Sequence, residues 1–298
     1  MQMEDCVRQA MQVCPAQVIT AVTSLCERPQ LRLEELRFRV GNPVTVLAQG
    51  REWSLSLDGR LLCADAAMLQ GIVARATDYS IYSAQEQLKQ GFCTLPGGHR
   101  LGVCGSAVTI SGEITSLQAF SALNLRIARQ VRGCADAVSR EIWQHPESTL
   151  LLGPPGCGKT TLLRDLIRQL SDRYRFRIGL IDERGELAAS RDGVPQFSVG
   201  ACTDVLSGFG KEQGIYLLLR SMRPEWIALD ELSALGDVEA ICRASYCGVR
   251  FLATAHAWSK EDLQKRPVYR ALLDSRIFGN LAVIDGNRNV RCERMEYD

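Results

Sequence analysis

The stretch Gly153-Pro-Pro-Gly-Cys-Gly-Lys-Thr160 constrains this chain more than any other. It follows the short apolar run Thr149 to Leu152 and precedes a segment of helical periodicity from Leu162 to Leu170. Strand, glycine-rich loop and helix in that order form the arrangement a phosphate-binding loop requires. The glycines let the backbone fold tightly, so that its N–H groups converge on phosphate oxygens. The start of the following helix adds a partial positive charge of about half an elementary unit. Lys159 is expected to reach the β- and γ-phosphates of a nucleotide, and the Thr160 hydroxyl to hold Mg²⁺. The expected nucleotide-binding set is Gly153, Pro154, Pro155, Gly156, Cys157, Gly158, Lys159, Thr160 and Thr161. An ordinary glycine turn does not explain a Lys-Thr pair at a helix start. Cys157 has two readings: a thiol activated by the helix start and Lys159, or a small tolerated residue.

A length of 298 residues leaves room for two domains, and 46% hydrophobic residues is ample for their cores. The net charge of +1 gives no global pull toward nucleic acid or anionic lipid. Twelve cysteines are many, yet no CxxC pair or zinc-type Cys/His cluster appears. Cys63, Cys93, Cys104, Cys242 and Cys247 lie in apolar runs and are expected to pack as small hydrophobes. The first residues, with Glu4, Asp5 and Arg8, lack a secretory pattern. No apolar run approaches the roughly 18–20 residues that span a bilayer. The expectation is a cytoplasmic protein with reduced thiols, reaching any membrane through a partner.

The N-terminal part, residues 1–134, reads as a small α+β domain with helices on a mostly antiparallel sheet. Two short helices flank Pro15. Leu31 to Val40 alternates as a strand, Gly41-Asn42-Pro43 breaks it, and Val44 to Leu47 and Trp53 to Leu57 follow as strands. Asp65 caps a helix carrying Met68, Leu69, Ile72 and Val73. A further helix is predicted from Ile81 to Leu88. Phe92 to Leu95 and His99 to Val103 form a hairpin around Pro96-Gly97-Gly98, and Ala107 to Ile110 and Leu123 to Ala128 are separate strands. His99, beside a glycine turn, reads as a surface residue.

Residues 135–298 alternate strands with helices, which implies a parallel sheet with helices on both faces. The fold class is α/β, a P-loop RecA-like doubly wound parallel sheet preceded by the smaller α+β domain. Ligands of such sheets bind at the carboxyl ends of the strands, so what ends each strand matters. Phe176 to Ile181 ends in Asp182-Glu183-Arg184-Gly185-Glu186. A carboxylate there is placed to orient or deprotonate an attacking water. Trp226 to Leu229 ends in Asp230-Glu231, a Walker B pattern in which Asp230 holds Mg²⁺ and Glu231 polarises water or supports the metal site. Val249 to Ala253 runs into Thr254-Ala255-His256, where a neutral imidazole is placed to report the γ-phosphate. Arg220 and Arg223, before Pro224, read either as complements to a helix C-terminus or as phosphate sensors. Asp262 to Leu273 is helical, Ile277 to Asp285 supplies a last strand, and the tail from Gly286 is polar. The expected catalytic set is Glu183, Glu231, Asp182, Lys159, His256 and Arg220, with Thr160 and Asp230 on the metal.

The order of these motifs resembles the type II/IV secretion ATPases, with a Walker A loop, an acidic box, a Walker B strand and a histidine box. More closely, the chain resembles the stage III sporulation protein AA family of endospore-forming bacteria. Thr94-Leu-Pro-Gly-Gly-His-Arg-Leu-Gly102, Leu123-Asn-Leu-Arg-Ile-Ala-Arg129, Gly193-Val-Pro-Gln196, Thr203-Asp-Val-Leu206 and Arg220-Ser-Met-Arg-Pro224 carry that resemblance across nearly the whole chain. Two departures from the secretion ATPases matter. Their acidic box typically ends in Glu-Asp-Pro, whereas Asp182-Glu183-Arg184 is closer to Rho- and F1-like enzymes, in which the Glu before Arg positions water. Glu183 is therefore preferred as the base, with Asp182 second. Their Walker B often reads Gly-Glu, whereas Asp230-Glu231 makes metal coordination by Asp230 more plausible.

The resemblance implies an ATPase converting ATP and water to ADP and phosphate, with ATP and Mg²⁺ at subunit interfaces of a homo-oligomer, a hexamer. It implies membrane-embedded channel proteins of the sporulation apparatus as partners, no nucleic acid, and a peripheral place on the mother-cell side of the channel between mother cell and forespore. It also implies that Arg100, Arg126 or Arg129 supplies positive charge to a neighbouring subunit's site. Two other readings stay open. One is a RecA/Rho-like ATPase stimulated by nucleic acid; the other is a nucleotide-binding switch with little turnover.

Overall fold

The structure, a computed structural model, describes residues 4–26, 31–79, 88–89, 91–110 and 113–295. The chain divides into two compact units, Met1–Arg129 and Gln130–Asp298.

In the first unit, strands β1 (Leu33–Arg39), β2 (Thr45–Ala48), β3 (Arg51–Ser54), β6 (Phe92–Thr94), β7 (Arg100–Ile110) and β8 (Glu113–Arg126) form one antiparallel sheet. Its order is β3-β2-β1-β8-β7-β6, and a two-residue ladder of β4 (Ser56–Leu57) and β5 (Arg60–Leu61) stands apart. Period-2 alternation sends Leu36 and Phe38 of β1 into the core, between the charged Glu35, Arg37 and Arg39. Helices α1 (Asp5–Ala10), α2 (Ala16–Cys26) and α3 (Ala66–Ala76) contribute Val7, Val18, Val22, Leu69 and Ile72 to the same cluster. Pro15 separates the first two. Asp65 caps α3 by accepting the Met68 N–H at 2.7 Å. The helix predicted from Ile81 lies outside the described residues as far as position 87.

The strands expected at Ala107–Ile110 and Leu123–Ala128 are parts of the longer strands β7 and β8, which pair as one hairpin. The register shifts between Cys104 and Ser106, a bulge that hides the continuity in sequence. Gly105 is required there, since a Cβ on it would lie 2.7 Å from the Gln118 carbonyl oxygen. Burial of the cysteines also departs from expectation. Of the five in apolar runs, Cys93 is buried and Cys242 half-buried, while Cys63, Cys104 and Cys247 are exposed.

The second unit is built on strands β9 (Ser148–Gly153), β10 (Ile178–Asp182), β11 (Thr203–Ser207), β12 (Trp226–Leu229), β13 (Arg250–His256), β14 (Phe278–Ile284) and β15 (Val290–Arg294). Their order is β11-β10-β12-β13-β9-β14-β15. All neighbours are parallel except β14 and β15. The two edge strands, β11 and β15, were not expected as strands: neither carries a buried apolar run, and β15 is mostly exposed. Central strands feed two cores alternately. Leu150, Leu152, Ile227 and Phe251 face one cluster, and Leu151, Ala228 and Leu252 face the other.

Helices α4 (Asp136–Gln144) and α5 (Lys159–Tyr174) cover one face. Helices α6 (Lys211–Ser221), α7 (Leu235–Ser245), α8 (Lys260–Gln264) and α9 (Pro267–Asp274) cover the other. The single helix expected from Asp262 to Leu273 is broken at Arg266, because Pro267 opens a new helix at its first turn. Between α4 and α5, buried Asp165 accepts the Ala135 N–H at 3.0 Å and the Gln169 amide at 2.9 Å, and pairs with Arg168. Both oxygens of this buried carboxylate are therefore answered.

His99 is the clearest correction in the first unit. It is fully buried rather than at the surface, and its Nδ1 accepts the Ala128 N–H at 3.0 Å. Burial, assisted by the nearby Arg129, lowers its pKa from 6.5 to about 4. Between those values the unfolded chain binds the proton that the folded chain refuses, so stability falls as pH drops from 6.5 to about 4. A depression of that size corresponds to about 3 kcal/mol. Urea unfolding between pH 7 and pH 4 should show this loss, and a His99→Leu chain should lack that part of the slope.

Candidate functional site

Strand β9 ends at Gly153, and α5 begins at Lys159. Between them Gly156 and Gly158 take φ of +75° and +106°, a region open mainly to glycine. Gly153 has no room for a side chain: a Cβ would sit 2.5 Å from the Cys157 Sγ and 3.0 Å from the Ile284 carbonyl oxygen. Cys157 is buried in the apolar cluster that holds Leu151 and Leu163, so its thiol is a packing group of the loop. Lys159 turns back along the loop, donating at 2.9 Å to both the Gly153 and the Pro154 carbonyl oxygens. Burial lowers its pKa, against the pull of Asp230 and Glu231.

The parallel register sets the carboxyl ends of β9, β13, β12 and β10 side by side, pairing Gly153 with His256, Ala253 with Leu229, and Leu229 with Ile181. Lys159 Nζ lies 2.9 Å from His256 Nδ1. With the ammonium donating there, the imidazole proton belongs on Nε2, which faces Glu231 Oε1 at 3.2 Å. The other oxygen of Glu231 accepts from Arg184 at 2.5 Å. Glu231 has a left-handed backbone, φ +49°, and its N–H donates to Asp230 Oδ1 at 3.0 Å and Thr254 Oγ1 at 2.8 Å. The Thr254 hydroxyl donates in turn to Asp230 Oδ1. The second oxygen of Asp230 accepts from Thr160 Oγ1 at 2.8 Å. Side chains at the ends of neighbouring strands and on the loop are thereby joined.

The acidic box divides its work. Asp182 is buried, and both its oxygens are engaged: Oδ1 accepts the N–H groups of Glu186 and Leu187 at 2.9 and 3.0 Å, and Oδ2 that of Ala188 at 2.8 Å. It anchors the turn after β10. Arg164 holds the far side of that turn, donating to the Leu187 and Glu186 carbonyl oxygens and lying over the Phe197 ring at 4.2 Å. Glu183 keeps a partly exposed carboxylate and pairs with Lys211 at 2.6 Å.

Gly156, Gly158, Lys159, Thr160, Asp182, Glu183, Arg184, Lys211, Asp230, Glu231, Thr254 and His256 line one cavity of about 280 Å³. Five of the six expected catalytic residues are thus brought together. Arg220 is not among the lining residues; it lies on α6 with its guanidinium 3.4 Å from the Tyr216 hydroxyl. Thr161 faces a second cavity of about 260 Å³, with Gly156, Cys157, Gly158, Ile284, Arg288 and Val290. Thr254 and Lys211 had no assigned role in the sequence. The signal for Thr254 was its place two residues before His256, hence on the same side of β13.

In the first unit, Arg129 donates to Glu4 at 2.8 Å with its side chain largely covered. The Arg100 guanidinium lies 3.5 Å over the Phe92 ring. Arg126 is the most open, 62% exposed and 3.4 Å from Glu35.

The profile of the family described as "Sporulation stage III, protein AA" matches residues 7–295. The chain belongs to that family. It is 37% identical over 272 residues to the stage III sporulation protein AA of Bacillus subtilis (strain 168), covering 90% of this chain and 87% of that protein. Among solved structures it is similar to the ATPase DotB of Legionella pneumophila, with a TM-score of 0.57, 15% identity, and coverage of 94% and 80%. It is similar also to the pilus retraction motor PilT with bound ADP, with a TM-score of 0.60, 17% identity, and coverage of 87% and 76%. At such identities the likeness is one of fold, the RecA-like P-loop α/β fold. No helix among the described residues is long and apolar enough to cross a membrane.

Thr254 supports both the Asp230 carboxylate and the Glu231 N–H, so a Thr254→Val chain leaves two polar groups short of a partner. The expected cost is about 1–3 kcal/mol, read as a lower urea midpoint at unchanged slope.

Proposed function

We propose that this member of the sporulation family is an ATP-hydrolysing motor of secretion-ATPase type, acting as a homo-oligomeric ring, a hexamer. It powers assembly of, or transport through, the channel between mother cell and forespore, from the cytoplasmic mother-cell side, alongside membrane-embedded channel proteins. One observation carries the reading. The phosphate loop, both carboxylate strands and the histidine strand meet around one cavity, most of their polar side chains joined by hydrogen bonds. Family membership supports the sporulation role, and the naming of DotB as an ATPase and PilT as a motor supports the hydrolytic one.

The residues divide the work as follows. The loop N–H groups between Gly153 and Thr161, with Lys159, bind the phosphates, and the cavity beside Thr161 and Arg288 takes the nucleoside. Lys159 exchanges its carbonyl partners for phosphate oxygens. Thr160 Oγ1 at the helix start and Asp230 Oδ2 at the end of β12, 2.8 Å apart, suit Mg²⁺, which prefers oxygen ligands. When bound, Mg²⁺ supplies positive charge that offsets charge developing on the phosphates. Thr254 holds Asp230 in place. His256, bonded to both Lys159 and Glu231, links the phosphate end of the cavity to the Walker B carboxylate. Glu183 acts as the base toward water; Asp182, its oxygens occupied by the turn, keeps that loop in shape. Arg126, the most open of the three candidate arginines, reaches a neighbouring subunit's site.

A second reading, a RecA/Rho-like ATPase stimulated by nucleic acid, draws on one feature. Trp143 is half exposed and stacks on Tyr174 at 4.5 Å, in a stretch where Arg173, Arg175 and Arg177 alternate with aromatics. Such platforms suit single strands. Stimulation of turnover by single-stranded RNA or DNA would favour it over the motor reading.

Lys159→Ala should lose nucleotide uptake and turnover together. Glu183→Gln should keep uptake of a fluorescent ATP analogue while turnover falls about 10²-fold or more. Equal uptake and cleavage by Lys159→Ala and the unaltered chain would refute the proposal. Light scattering with a non-hydrolysable ATP analogue should show the assembled ring.

A further inference from the structure

Lys211 is a largely buried cation that neither motif spacing nor the family description assigns to any task. Its place follows from the chain around it. Strand β11 pairs with β10 as far as Ser207 with Asp182, and the Gly208 N–H then donates to the Asp182 carbonyl oxygen at 3.1 Å. Gly208 has φ +76°, so the chain turns there across the tip of β10. Helix α6 starts three residues later, at Lys211. The first side chain of the helix is thereby directed into the cavity that holds the phosphate loop. It is 10% exposed, with Nζ 2.6 Å from Glu183 Oε2 and 3.9 Å from Asp237 Oδ2.

Each of these contacts has a physical consequence. An ammonium buried to this extent must be paired, because leaving it unpaired costs far more than a surface charge would. Of its two carboxylates, Asp237 is already committed. It accepts the Ser233 and Ala234 N–H groups at 3.1 and 3.2 Å, as the cap of α7. Glu183 pairs with Lys211 alone among the described residues, and its carboxylate is 44% exposed. Lys211 is therefore the fixed member of the pair and Glu183 the movable one. A glutamate on a turn, free to rotate into solvent, is held toward the cavity by a charge anchored at a helix start.

We propose that Lys211 is a positioning residue for hydrolysis, holding the Glu183 carboxylate toward the water that attacks the terminal phosphate. This rests on the hydrolytic reading above and on Glu183 as its base. Lys211 touches neither water nor phosphate in this role, so it acts on turnover and not on nucleotide uptake.

The test compares Lys211→Met, Lys211→Arg, Glu183→Gln and the Lys211→Met/Glu183→Gln pair, as full chains. Turnover of Mg-ATP is measured alongside uptake of a fluorescent, non-hydrolysable ATP analogue. Lys211→Met should lose about tenfold or more in kcat, a share of what a positioned base contributes, with analogue affinity within about twofold of the unaltered chain. Retained uptake also shows that the variant is folded. Lys211→Arg should recover most of the loss. The double variant should turn over no more slowly than Glu183→Gln alone, because a residue acting through another has nothing left to support. Three results would overturn the inference: unchanged turnover in Lys211→Met, loss of uptake in that variant, or additive losses in the pair. Absence of hydrolysis by the unaltered chain would instead remove the hydrolytic reading, and this inference with it.

Discussion

The carboxylate of Asp230 is the point on which the rest of the site depends. It stands at the end of β12, flanked by β10 on one side and β13 on the other. Its oxygens receive the hydroxyl of Thr160 from the phosphate-loop helix, the hydroxyl of Thr254 from β13, and the N–H of Glu231. A charge bonded on three sides cannot wander, and neither can the groups bonded to it. The left-handed turn at Glu231 follows directly: it lets the chain leave the strand while the N–H still points back at Asp230 and Thr254. The Glu231 side chain then has one direction left, toward His256 and Arg184.

The same economy governs the charges around the cavity. Arg184 answers Glu231, Lys211 answers Glu183, and Lys159 is shared between two carbonyl oxygens and an imidazole. Arg184 is 63% exposed, so its pair with Glu231 contributes as little as other surface pairs, whereas Lys211 and Lys159 are largely buried. All three cations line the one cavity, each already held by a partner. The strands that end at the cavity feed, by alternation, the two apolar cores on either face of the sheet.

What the sequence disclosed was whatever is local. The phosphate loop, Asp230-Glu231 and Asp182-Glu183-Arg184 each follow a buried apolar run, so strand and site residue announce one another. The cap at Asp65 and the break at Pro15 are legible for the same reason. What it concealed depends on distant partners. The order β10-β12-β13-β9 is a matter of tertiary pairing, and the edge strands β11 and β15 carry little apolar signal. His99 sits in a polar, glycine-rich stretch that looks superficial until β7 folds onto β8. Lys211 reads as one more lysine at a helix start until Gly208 turns it inward. Thr254 looks like filler in a hydrophobic strand until Asp230 arrives beside it. Asp182 shows the reverse case: its type and position suggest chemistry, and the fold also gives both its oxygens to N–H groups of the turn.

That use of Asp182 has a consequence for what can replace it. All three of its contacts ask for an acceptor, two at one oxygen and one at the other. Asparagine has nearly the same outline but offers a single oxygen, and its amide nitrogen would confront a backbone N–H, donor against donor. The position is closed to the amide by hydrogen-bond polarity although its volume would admit one. A neutral look-alike there would disturb the loop that carries Glu183 and Arg184 before it altered any charge.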